Sequence, residues 1–74
     1  MTLVIDTTSL TKDRRTKFIE TLEPTFELSE TESVETGTTT FELARRDRKE
    51  MTARDGRDAT LAAFGAGLTV LRAG

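Results

Sequence analysis

The chain has 74 residues, 11 of them basic and 13 acidic, a net charge of −2, and neither cysteine nor histidine. Those two absences remove disulfides, thiolate metal sites and cysteine nucleophiles, together with the commonest general base and transition-metal ligand. The remainder is the size of one domain, residues 1–74, in which the 17 Leu, Ile, Val and Phe residues provide a thin core without a covalent or metal staple.

Leu3-Val4-Ile5 is a short apolar run with two β-branched members, and it predicts a buried strand. Thr8 or Ser9 can cap a following helix. From Leu10 to Glu23, Leu10, Phe18 and Leu22 share one helical face while Lys12, Arg14 and Arg15 lie largely outside it. Pro24 ends that helix, because its ring opposes a helical conformation at the residue before it.

Thr25-Phe26-Glu27-Leu28 recurs as Thr40-Phe41-Glu42-Leu43. Each copy alternates apolar and acidic residues with the period of a half-buried strand. A turn near Thr36-Gly37 joins the two as an antiparallel pair. Phe26, Leu28, Phe41 and Leu43 then share a face only if the loop has an even number of residues, and Glu27 and Glu42 point away.

Arg45–Arg57 is rich in charge and in helix formers. It predicts either one helix kinked at Gly56 or, preferably, two helices divided at Asp55-Gly56 with Asp58 capping the second. Beyond it, Leu61, Phe64, Leu68 and Leu71 fit a helical stripe, with Ala59, Ala63 and Gly67 as a small-residue edge. Gly65-Ala66-Gly67 opposes a continuous helix, so Leu68–Leu71 is predicted as a strand.

The expected class is α+β, a small antiparallel sheet with helices on one face and the element order βαββαβ, which is the ferredoxin-like order. A helix, a β-hairpin and a C-terminal helical hairpin is the alternative if Leu68–Leu71 is helical.

The chemistry on offer is sparse. Ser9, Ser29, Ser33 and the threonines lack a histidine to activate them, and none sits in a Gly-x-Ser-x-Gly elbow. Seven glutamates fall between Glu20 and Glu42 without one lysine or arginine. They alternate along strands and lack the spacing of a calcium loop, so a solvated acidic face is expected. Phosphate-cradling glycine motifs are missing. No cofactor, metal or small-molecule substrate is expected, and the chain reads as a non-enzyme.

Arg45, Arg46, Arg48, Lys49, Arg54 and Arg57 form a basic segment, interleaved with Asp47, Glu50, Asp55 and Asp58. With Glu27 and Glu42 of the acidic strands they are the candidate partner-binding residues, since opposite charge on neighbouring copies orients assembly. The expected function is therefore structural: assembly through protein contacts, with self or within a larger body, extending to a component of a virion or phage-like particle. Two rivals are a nucleic-acid-associated regulator using residues 45–57 and an acidic inhibitor of a host protein. Met1–Ile5 is too short for a signal peptide's apolar region, and Ala59–Leu71 is too short to span a bilayer. The expectation is a protein of the cytoplasm or a virion, not secreted and without a membrane partner.

Overall fold

A computed structural model describes residues 1–74. Strand β1 (Thr2–Asp6) leads through a 3₁₀ turn (Thr7–Ser9) to helix α1 (Lys12–Leu22). Strands β2 (Phe26–Ser33) and β3 (Thr38–Arg45) follow, then helix α2 (Ala53–Gly65) and strand β4 (Val70–Ala73). The element order is the expected βαββαβ, and the helical-hairpin alternative is discarded. All four strands form one antiparallel sheet in the order β2-β3-β1-β4, so β1 and β3 are central and β2 and β4 are edges.

Alternation along the strands decides which face the helices cover. Leu3 and Ile5 of β1, Thr39, Phe41 and Leu43 of β3, and Phe26 of β2 are buried. They meet Phe18 and Leu22 of α1 and Ala59 and Ala63 of α2 in one core that also takes Ala66 and Leu68. Phe18 and Phe41 stand edge to face at its centre, with ring centroids 5.1 Å apart. The opposite face of the sheet carries Glu27, Ser29, Thr31, Thr40 and Glu42 and has no helix over it.

The β2–β3 register agrees with the parity argument. Leu28 lies opposite Leu43, and Ser33 opposite Thr38, leaving the four-residue loop Val34–Gly37. Gly37 supplies the left-handed conformation this turn needs, at φ 66°. Both strands run further than the repeated tetrapeptides, because backbone pairing continues through polar Ser29–Ser33 and Thr38–Thr39 once the apolar pairs have aligned the chains.

Two boundaries differ from the sequence expectation. The N-cap of α1 is Thr11, whose hydroxyl accepts from the Arg14 N–H. Thr8 is unavailable, since its N–H and hydroxyl both donate to Asp6, and the Ser9 hydroxyl donates to the Asp6 carbonyl. Strand β4 begins at Val70, two residues later than predicted. Leu68 is buried before it, where the chain leaves the helix through Ala66 and Gly67, the latter at φ 82°.

The largest correction concerns Arg45–Arg57. Its first residue completes β3 and residues 46–52 form a turn and loop, with Arg48 at φ 63°. No helix covers Arg45–Thr52, and Asp58 caps nothing. A single helix starts at Ala53 and passes through Gly56 without a break. Thr52-Ala53-Arg54-Asp55 forms a capping box. The Thr52 N–H donates to Asp55 Oδ2 at 2.9 Å, and the Asp55 N–H donates to Thr52 Oγ1 at 3.1 Å. These reciprocal bonds outweigh the turn preference of Asp55-Gly56, because they satisfy donors that a helix start otherwise leaves open.

Gly56 is thus an interior helical glycine. A Cβ there would meet only Met1 Sδ and Cε, at 3.6 and 3.7 Å, which is ordinary contact. Gly56→Ala is expected to raise stability by about 0.5–1 kcal/mol through lower unfolded-state entropy. Thermal denaturation would read this as an increase of a few degrees, and an unchanged or lower midpoint would contradict it.

Candidate contact surface

The predicted partner-binding residues divide into those held inside the fold and those left in solvent. Arg45 ends β3 and is fully engaged. Its Nε and Nη2 donate to the two oxygens of Asp47, and its Nη1 donates to Asp55 at 2.9 Å. One guanidinium therefore ties the end of β3 to the loop and to the first turn of α2. The Asp47 carboxyl is pushed well below the usual carboxylate range, first by Arg45 and then by the Lys49 N–H. Asp55 is lowered as well, first by the Thr52 N–H and then by Arg45. Arg45 is raised in turn, by Asp47 before Asp55.

Arg46 donates through Nε to the Glu23 carbonyl at the end of α1 and lies 3.9 Å from Glu27. Glu42, on the open sheet face, accepts from the Thr2 hydroxyl at 2.7 Å. Arg54 approaches Asp58 one turn along α2 at 3.9 Å, with both side chains mostly exposed. Arg48, Lys49 and Arg57 make no ion pair.

Arg45 pairs with carboxylates of its own segment, Asp47 and Asp55, and Arg46, 3.9 Å from Glu27, reaches from that segment to the acidic strands. A second mixed pair joins the layers elsewhere. Arg15 of α1 grips Glu30 of β2 with both Nε and Nη2, because Glu30 lies opposite Phe41 and so stands on the helix-covered face.

A different surface emerges on α2. Ala59 and Ala63 are fully buried, while Leu61 and Phe64 are 54% and 58% exposed. The helical stripe is split: the small-residue edge faces the sheet and the two large side chains face solvent. Alanines are what fits where α2 lies against both the sheet and α1, since a helix packed on two neighbours approaches closely only through small side chains. Leu61 and Arg57 line an open groove of about 720 Å³ with Met1, Met51, Ala73 and Gly74. Phe64 stands one turn on from Thr60 and Leu61, extending the same flank of the helix.

Strand β4, next to this flank, is a free edge with the sequence Val70-Leu71-Arg72-Ala73. Leu3 faces Ala73, Val4 faces Arg72 and Ile5 faces Val70, so the register shifts at this point and Leu71 has no partner on β1. Leu71 is 55% exposed. The other edge, β2, carries Glu27, Glu30 and Glu32, charges of the kind that discourage strand addition. Strand β4 carries only Arg72.

The sequence contained a signal for this surface in the two competing helical spacings, large residues at 61 and 64 against small ones at 59 and 63. Which set faces inward depends on the distance between α2 and its neighbours, and periodicity alone does not supply that.

No group of three or more acidic side chains is arranged to hold a metal ion, and no helix is long and apolar enough to cross a membrane. Comparison with protein-family models, with curated proteins and with solved structures finds no match.

Proposed function

We propose that this protein is a small non-enzymatic assembly module that acts through protein contacts made by the outer flank of α2 and the adjoining β4 edge. The observation that carries this reading is the exposure of Leu61 and Phe64 beside an open apolar groove and the free outer edge of β4. Charged residues make up 32% of the chain, yet Arg57 is the one charged side chain lining that groove. On its other side Leu61 adjoins Arg54, Arg57 and Asp58, a charged rim beside an apolar groove of the kind that protein interfaces show.

A particle or virion setting agrees with a thin, unstapled core that gains stability from neighbours.

Nucleic-acid binding through residues 45–57 is less favoured. Two of the six basic side chains are committed within the fold, and Glu50 and Asp58 are interspersed among the others.

A photo-crosslinking residue in place of Phe64 tests the proposal in the native host. Adducts containing a second polypeptide are the expected product. Recovery of unmodified monomer alone, or of adducts with nucleic acid, would count against a protein-contact role.

A further inference from the structure

We infer that Asp55-Gly56 is a latent modification site, at which opening of the first turn of α2 lets Asp55 rearrange to isoaspartate and leaves the turn unable to re-form. It is the chain's only aspartate followed by glycine. Asp6, Asp13, Asp47 and Asp58 precede threonine, arginine, arginine and alanine, whose side chains hinder approach to the following nitrogen. The chemistry needs water and no partner. The Gly56 nitrogen attacks Asp55 Cγ, the amide proton and the carboxyl hydroxyl leave as water, and a five-membered succinimide closes. Water then adds to one of the two ring carbonyls. Breaking the new N–Cγ bond restores aspartate. Breaking the original bond to the main-chain carbon gives isoaspartate, with the backbone running through Cβ and Cγ and the former main-chain carboxyl as the side chain.

The fold holds each reacting group out of position. To close the ring, Cγ must swing over the main-chain carbon of Asp55 and meet the Gly56 nitrogen. Instead Asp55 Oδ2 accepts from the Thr52 N–H at 2.9 Å and from Arg45 Nη1 at 2.9 Å, which draws the carboxylate back toward the helix start. Those donors also keep the group ionised, and a carboxylate gives up an oxygen far less readily than a carboxylic acid. The nucleophile is occupied too, since the Gly56 N–H donates to the Thr52 carbonyl at 3.1 Å.

Thr52 supplies most of these restraints, through its N–H, its hydroxyl and its carbonyl. Thr52, Ala53 and Arg54 are all exposed, so the turn opens without unpacking the core, as helix ends commonly do. The product does not close again. Isoaspartate adds a methylene to the main chain, which puts the first turn out of step with the i→i−4 ladder. Its carboxylate hangs one carbon nearer the chain than the one that bridges Thr52 and Arg45. Thr52, Ala53 and Gly56 line the open groove beside Leu61, and that wall is lost with the turn.

Peptide mapping with electron-transfer fragmentation distinguishes isoaspartate from aspartate at each position. It tests this on the purified full chain, held at constant temperature and neutral pH in buffer and in guanidinium chloride. In denaturant, position 55 is expected to convert faster than the other four aspartates. In buffer its conversion should be at least about 10-fold slower than in denaturant. Thr52→Ala should speed conversion in buffer about fivefold. Phe41→Leu weakens the core away from the turn and should leave the rate in buffer unchanged. Gly56→Ala should slow position 55 in denaturant, where the added methyl group alone makes the difference.

Equal wild-type rates in buffer and denaturant overturn the inference, as does another aspartate leading in denaturant. An unchanged rate in Thr52→Ala, or equal acceleration by Phe41→Leu, overturns local opening at the capping box. Amide hydrogen exchange of wild-type Gly56 reads the same opening without a variant, and protection equal to that of Phe41 overturns it too.

Discussion

Phe18→Ala is expected to remove a large share of the stability of the domain. Phe18 is completely buried, spans the gap between α1 and the sheet, and packs edge to face on Phe41. Truncating a buried phenylalanine costs about 3–5 kcal/mol, from lost apolar burial and from the cavity left behind. A chain of this length has a total stability of roughly 4–11 kcal/mol. A core of eleven side chains has no second layer to collapse into the space. Urea denaturation of wild type and variant measures the difference. A loss below about 1 kcal/mol would mean that the Phe18–Phe41 contact does not organise the core. Phe41→Leu should be milder, since it keeps much of the volume and loses the aromatic pair, worth about 0.5–1.5 kcal/mol.

Asp55→Ala is expected to have the second-largest effect and to reduce the protein's sensitivity to acid. The carboxylate of Asp55 accepts from the Thr52 N–H and from Arg45, so its removal opens the first turn of α2 and frees β3 from the helix together. Thr52→Ala removes the reciprocal half of the box and should cost about 1 kcal/mol, or about 4–8 °C in Tm. Asp55→Ala should exceed that loss.

The direction of the pH effect follows from the depressed carboxyls of Asp47 and Asp55. A group that is more acidic folded than unfolded binds protons preferentially in the unfolded chain. Its stabilisation is fully present above the ordinary carboxylate value of about 4 and is lost as pH falls through the folded one. Wild type should therefore lose stability below about pH 4, and Asp55→Ala should show a shallower acid slope from a lower plateau. With no histidine, cysteine or tyrosine in the chain, no side chain has an ordinary titration between about pH 5 and 9. An acid slope identical in wild type and variant would show that Asp55 is not held by Thr52 and Arg45.

Arg45 illustrates why the basic segment is hard to read from sequence. Along the chain it opens a run of six cations among four acids, which suits a helix lined with charge. In the fold it is the last residue of a strand, and its guanidinium organises the loop that follows. Local propensity favours helix here. It is overridden because β3 is drawn as far as Arg45 by pairing with β2, where Phe26 lies opposite Arg45. Asp55 likewise reads as half of a turn signal, while the bonds that make it part of a cap depend on Thr52 three residues earlier, a spacing the Asp-Gly dipeptide obscures.

Elements whose cause is local were legible in the sequence by itself. The apolar run Leu3-Val4-Ile5, the stop at Pro24, the two alternating tetrapeptides with an even loop, and the glycine break at 65–67 each follow from backbone sterics or from period-two burial. Those restraints operate within a few residues and survive any tertiary arrangement. The absence of imidazole and thiol likewise narrows the available chemistry before any fold is considered. Tertiary structure alone decided which helical stripe of α2 is buried, that Leu61 and Phe64 face outward, that Arg45 reaches Asp55 and Arg46 the Glu23 carbonyl, and that β4 is the edge with a single charge, Arg72. Each of these depends on the spacing between elements remote along the chain, and side-chain periodicity carries direction but no distance.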